Sequence, residues 1–176
     1  MYERAMGEDF ERLPAAVRRF HRLAGTRQLQ GWVETDAPVS ILAKLVALCL
    51  GSPLEARSGP MRFELDAQPA SETWTRHFPA QRMTSRLALE GRQVVERLGP
   101  ARMTFELRES GGRLEMRLRR FHFLGVPCPA WLMPRVVAEE TGGDERLHFK
   151  VQAALPLVGV VAAYRGHLEI PDEARP

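Results

Sequence analysis

A few polar side chains in this sequence stand where hydrophobic alternation should turn them inward, and they are the first candidates for chemistry. Arg76 falls between Trp74 and Phe78 at alternate positions, so a regular strand points all three the same way. Arg120 and His122 continue the face set by Leu114, Met116 and Leu118. Ser85 alternates with Met83, Leu87 and Leu89, and Tyr164 follows Val160 and Ala162. A guanidinium on an apolar concave wall is costly unless partnered, and a ligand carboxylate or phosphate is one such partner. Structural readings compete with that one. Arg76 can pair with an internal acid such as Glu96 or stack on Trp74 near a rim. A bulge at Arg119-Arg120 would turn Phe121 and Phe123 inward and expel Arg120. The ligand-binding candidates are thus Trp74, Arg76, Phe78, Ser85, Arg120, His122 and Tyr164.

Other chemistries lack their residues. Glu109-Ser-Gly-Gly-Arg113 and Glu140-Thr-Gly-Gly-Asp144 read as hairpin turns, without the glycine spacing that cradles a phosphate, and no Gly-x-Ser-x-Gly elbow occurs. His21, His77, His122, His148 and His167 are scattered, with no pair at metal-ligand spacing. No metal site, cofactor or catalytic residue is therefore assigned. Glu139 and Glu140 straddle the two faces of a strand and read as solvated. An enzymatic reading would need His122, Tyr164 and Arg76 to converge in one cleft.

Two connections are apolar enough to need explaining. Phe123 to Pro134 places Trp131, Leu132 and Met133 in a Pro-rich segment, and Leu155 to Gly159 repeats the pattern on a later hairpin. Such a loop caps the end of a core, covers a cavity mouth or presents a patch to a partner.

The basic residues are 23 arginines and two lysines, Lys44 and Lys150, against 22 acids, for a net charge of +3. On the alternating runs arginine sits beside glutamate, as in Arg62/Glu64, Glu106/Arg108 and Arg113/Glu115/Arg117. That is a charge-paired face rather than a positive stripe, and it argues against nucleic-acid binding. The start, rich in Glu and Asp, is no secretory signal, and the longest apolar stretch, Pro38 to Leu50, contains Lys44 and is too short to span a bilayer. Cys49 and Cys128 have no paired spacing and read as reduced thiols of a cytoplasmic protein; a disulfide between them is the alternative, with nothing in favour of it.

The elements that must hold these residues follow from periodicity. Phe10, Leu13, Val17 and Phe20 form one stripe of a helix over 8–23, with Pro14 marking a first turn. A strand covers 27–35. Asp36 as N-cap, Pro38 as first-turn residue and Gly51 as C-cap then bracket a helix over 38–50, apolar almost all round and hence expected to be buried on more than one side as the plug of the core. From Met61 onward the period is two, broken by short Gly- and Pro-bearing turns, which reads as hairpins. The fold class is α+β: an antiparallel meander of about ten strands curved into a barrel or half-barrel, with an N-terminal helix and a buried helix between the first two strands. A single domain is expected over 1–171, with 172–176 a loose tail. The order matches the topology of fatty-acid-binding barrels, and that of a helix-grip fold without its long C-terminal helix.

Four segments, YERAMGEDFERLPAAVRRFH near the start, WTRHF at 74–78, FLGVPCPAWLMPR at 123–135 and ALPLVGVVAAYRGHLE at 154–169, resemble the bacterial family called domain of unknown function 4166. Members of that family occur alone or attached to saccharopine-dehydrogenase-like oxidoreductases, so the resemblance implies an oxidoreductase partner, which would hold any dinucleotide. It implies no catalytic residues. The leading expectation is a non-enzymatic domain binding an apolar or lipid-like small molecule on the concave face of its sheet. The alternative is an accessory module docking on an oxidoreductase through the Trp131 loop.

Overall fold

The alternation seen from Met61 onward becomes strand throughout, and the computed structural model describes residues 1–143 and 145–171. The expected tail at 172–176 lies outside the described residues. Eleven strands form: β1 (Gly25–Thr35), β2 (Arg57–Gln68), β3 (Ser71–His77), β4 (Arg82–Glu90), β5 (Gln93–Leu98), β6 (Ala101–Glu109), β7 (Leu114–Phe123), the short β8 (Val126–Pro127), β9 (Arg135–Gly142), β10 (Arg146–Leu155) and β11 (Gly159–Glu169). Every pairing is antiparallel, and β6 to β7, β7 to β9 and β11 to β1 close the sheet. The result is a ten-stranded barrel, with β8 appended to β7. Closure removes the edges that an open sheet would expose. At the β1–β11 seam the wall bends so tightly that a Cβ on Gly31 would lie 2.0 Å from the His167 carbonyl oxygen, which only glycine permits.

The closure is incomplete on one side. β7 and β9 pair only at Leu114/Glu140 and Glu115/Glu139. Above that point they diverge, and the connection between them fills the gap. Pro127, Pro129 and Pro134 cannot donate to a ladder, so this segment lies over the seam with a 3-10 turn at Ala130–Leu132 instead of extending the sheet.

One end of the barrel is plugged by the N-terminal segment. The expected single helix over 8–23 is two pieces, a 3-10 stretch (Gly7–Arg12) and α2 (Ala15–Arg22), and a further short helix, α1 (Tyr2–Met6), precedes them. Gly7 adopts a left-handed φ of 63°, and Leu13 and Pro14 are extended, so the helix restarts after the proline. The apolar stripe survives these breaks, because Phe10, Leu13, Val17 and Phe20 are all buried against inward residues such as Phe63 and Trp74. Each contributes roughly 1.5–3 kcal/mol of burial. The plug of the core is thus this segment, not the helix after β1.

That second helix, α3 (Ile41–Leu50), lies across the other end. It starts later than 38 because Ser40 is its N-cap, accepting from the Ala43 N–H at 3.0 Å. Asp36 does not cap it and donates its backbone N–H to the Ala163 carbonyl. Gly51 ends the helix in a left-handed conformation, as expected. The Ser40 hydroxyl donates to the Val158 carbonyl on the β10–β11 turn at 3.0 Å. At the far end, a Cβ on Gly99 of the β5–β6 turn would meet the Cys49 carbonyl at 2.5 Å. The helix therefore spans the mouth from rim to rim. Only Ala43 and Ala47 are fully buried, Val46 and Leu50 face inward, and Ile41, Leu42, Leu45 and Leu48 are exposed. The expectation of burial on more than one side fails because the helix is a lid with one covered face.

Candidate functional site

Between the plug and the lid the barrel is not filled. A cavity of about 460 Å³ occupies the half toward α3. Its walls come from the inward faces of β4, β6, β9 and β10, with Met83, Met103, Phe105, Val136 and Val151, and its roof from Val46 and Leu50 of α3. Phe121, Phe123, Val126 and Leu132 bound it along the splayed β7–β9 seam. Val126 and Pro129 are both lining and exposed, so the cavity reaches the surface there. Ten strands enclose more space than their own side chains fill, and the volume lies in the range of small-molecule pockets.

A small polar group faces this apolar space. Arg76 on β3 is 7% exposed and lines the cavity. Its Nη1 donates to the buried Ser85 hydroxyl on β4 at 3.1 Å, and its Cζ lies 5.0 Å from the Trp74 ring centroid and 5.9 Å from that of Phe63. No carboxylate, Glu96 included, comes within 4.0 Å of this guanidinium among the described residues. Of the two structural alternatives for Arg76, the stack on Trp74 is the one present. A guanidinium has five N–H donors, and Ser85 takes one.

Tyr164 lines the same cavity from β11, with its ring edge-on to Phe78 at 5.3 Å and Phe149 at 6.1 Å. Burial pushes its hydroxyl pKa above the usual phenol value; nearby Arg76 opposes that, while Glu96 and Glu140 add to it. It is a neutral hydrogen-bonding group at neutral pH.

Behind the cavity floor sits a second polar cluster that links plug to barrel. His21 of α2 places Nε2 2.6 Å from Glu140 Oε2 on β9, with the histidine side chain fully buried. Tyr2 stacks on His21 at 3.7 Å, and burial, followed by the charges of Glu140, Glu72 and Glu96, holds its hydroxyl well above the ordinary phenol range. Trp74 Nε1 donates to Glu72 Oε2 at 2.8 Å, and burial raises the Glu72 carboxyl pKa, against the pull of His21 and of that hydrogen bond. Glu140 is thus buried rather than solvated, because Val136, Ala138 and Glu140 share the inner face and His21 meets it there.

The structure separates the residues picked from the sequence. Trp74, Arg76 and Tyr164 meet at the cavity; Ser85 supports Arg76 from behind, and Phe78 packs on Tyr164 without lining the space. Arg120 and His122 do not join them. Thr104 pairs with Arg120 and Phe105 with Leu118, so Arg119 is an extra residue that flips the alternation. Phe121 and Phe123 turn inward, Arg120 is exposed on the outer face, and His122 lies half-buried beside it. The trio His122, Tyr164 and Arg76 therefore does not converge. In the β7–β9 connection Leu132 lines the cavity, Met133 is half-buried beside it and Trp131 is exposed. Glu72 carries no role in the sequence reading, although it stands two residues before Trp74 on the same face.

The outer face carries the expected charge pairs: Arg62 with Glu64 at 3.3 Å, Arg108 with Glu106 at 2.9 Å and Arg117 with Glu115 at 3.1 Å. Among the described residues no group of His, Cys, Asp and Glu could hold a metal ion, and no helix is long and apolar enough to cross a membrane. Cys49 and Cys128 are both free.

A family model, described as domain of unknown function (DUF4166), matches residues 13–168. The chain belongs to the DUF4166 family. The match takes in the strands of the barrel, α3 and the β7–β9 connection, so the cavity and its lid lie within the DUF4166 domain. No curated protein matches the chain. A crystal structure of Rv2717c from M. tuberculosis is similar over 91% of this chain and 99% of that one, at 11% identity and a TM-score of 0.48.

Proposed function

We propose that this DUF4166 domain binds an apolar or lipid-like small molecule inside its barrel, with the polar head of the ligand at Arg76 and Tyr164. The observation that supports this reading most is the cavity of about 460 Å³ with apolar walls and one partly satisfied guanidinium on its surface. Leaving a buried donor unmatched costs about 1–3 kcal/mol, and an acceptor on a ligand offsets that cost. The walls select an aliphatic or aromatic body by burial, which is unspecific in detail. Arg76 then orients it. A carboxylate suits the fork of a guanidinium best, with the neutral Tyr164 hydroxyl donating to the same head. Glu96, Glu139 and Glu140 also border the space; Glu140 faces His21 and Glu139 faces Arg113, so Glu96 is left to offset Arg76 and a doubly anionic head is disfavoured.

The test is a titration of the delipidated protein with a fluorescent long-chain carboxylate. Saturable enhancement at one site, displaced by non-fluorescent carboxylates of similar length, is the expected result. Failure to enhance any such probe, or enhancement unaffected by competitors, overturns the reading.

A further inference from the structure

The end of the barrel that carries the cavity mouth is apolar on its outside as well as its inside. Among the described residues eleven large hydrophobic side chains are exposed, and all but Trp32 and Val137 lie at this end. Four of them, Ile41, Leu42, Leu45 and Leu48, form the outer face of α3, whose inner face already roofs the cavity. Trp131 of the β7–β9 connection is 71% exposed beside the lining residue Leu132.

Two turn tips at this end strengthen the point. Leu124 and Leu157 adopt left-handed φ values of 51° and 64°, a conformation that glycine or asparagine takes more cheaply. Leu157 is 95% exposed. Neither the backbone nor the core gains from leucine there, so the side chain serves something outside the chain.

The unpaired charges at this end are mainly positive, with the exposed Asp36 the exception. Lys44 projects from the exposed face of α3, and Arg82 and Arg135 open β4 and β9 at the rim; all three are exposed, and none forms an ion pair among the described residues. The acids of the same connections are Asp36 and Glu55, and Glu55 is paired with Arg57 at 2.6 Å.

We propose that the open end of the barrel docks on an anionic lipid surface, with the outer face of α3, Trp131 and the Leu157 turn entering the interface. Aliphatic side chains around one lysine and one tryptophan match what an interfacial helix presents to headgroups and acyl chains. A protein interface core draws more on aromatics, methionine and arginine. Lys44 can extend its ammonium toward lipid phosphates while its stem stays in the apolar layer. The docking rests on outer faces and does not require the cavity to be occupied, but it would let an apolar ligand pass between bilayer and cavity without crossing water.

The experiment is co-sedimentation of the full chain, stripped of ligand, with vesicles of phosphatidylcholine alone and of phosphatidylcholine containing phosphatidylglycerol. Three cations less the exposed Asp36, at about 1 kcal/mol per charge, predict roughly 30-fold stronger partitioning onto the anionic vesicles at low salt. The double substitution Leu45→Asp and Leu48→Asp should abolish partitioning, and Lys44→Glu, a change of two charges, should weaken it roughly 30-fold on anionic vesicles only. Leu157→Asp, at a turn tip outside the helix, provides a second variant should the first fail to fold. The proposal is overturned if the wild-type chain binds neither vesicle, if the aspartate variants bind as it does, or if the apolar face is buried in a homodimer that Leu45→Asp dissociates. Capture of a protein partner through Trp131 in place of vesicle binding also overturns it. Loss of vesicle binding with probe uptake intact would reject the docking and leave the cavity reading standing.

Discussion

Arg76 stacks over Trp74, two residues before it on the same face of β3, with 5.0 Å between the guanidinium carbon and the indole centroid. The contact holds a charge inside the barrel with no carboxylate within 4.0 Å of it among the described residues. Aromatic faces and one hydroxyl satisfy a buried guanidinium only in part, and the remainder of its donors define the site.

Replacing Arg76 with Met keeps the volume and removes the donors. Affinity for a long-chain carboxylate should fall roughly 10- to 100-fold, and affinity for the matching alcohol much less, because a charged hydrogen bond is worth about 1.5–3 kcal/mol. Thermal stability of the empty protein should hold or rise, since a desolvated charge is gone. Titration of both ligands with both proteins checks this.

Glu72 makes a pH prediction. Its pKa is raised by burial in the folded protein, so above the ordinary value near 4.5 the folded state holds a proton that the unfolded chain releases. Stability contributed by this group is greatest below that value and declines as pH rises toward the folded pKa. Glu72→Gln, which keeps an acceptor for Trp74 Nε1, should flatten that decline and stabilise the protein at pH 7. Denaturant melts at several pH values provide the comparison.

The His21 to Glu140 pair ties the plug to the barrel wall. Removing one member leaves the other buried alone, so Glu140→Ala should destabilise the fold by about 3 kcal/mol. The double variant His21→Leu with Glu140→Leu should recover much of that loss. Chemical denaturation of the two proteins measures the difference.

Gly99 allows the lid to rest on the β5–β6 turn. It combines a φ of 54° with a carbonyl 2.5 Å from where a Cβ would stand. Gly99→Val should lift the C-terminal end of α3, cost about 1–3 kcal/mol and speed ligand exchange. Stopped-flow release of the fluorescent probe reads the exchange rate.

Much of the barrel was legible because strands with one buried face alternate, and from Met61 onward the alternation is nearly unbroken. Closure is a different matter. It depends on β6 meeting β7 with a bulge at Arg119, and on β7 meeting β9 at one end only. The sequence leaves both a regular strand and a bulge at Arg119-Arg120 open, and only the pairing with β6 selects the bulge, which turns Arg120 and His122 outward. Glu140 reads as solvated from sequence for a related reason: its partner His21 is far away in the chain, and adjacency to Glu139 suggests solvent. The helix at α3 marks the limit of composition. An apolar surface all round demands cover, but the residues alone do not distinguish the protein's own core from something outside it.

Native mass spectrometry of freshly purified protein tests the central claim most directly, read against Ala162→Trp, which puts an indole into the cavity. The account predicts a wild-type species carrying one hydrophobic adduct, exchangeable for added long-chain carboxylate, and a variant that folds but carries none. A wild-type protein that is bare from every preparation and takes up no such ligand would contradict it.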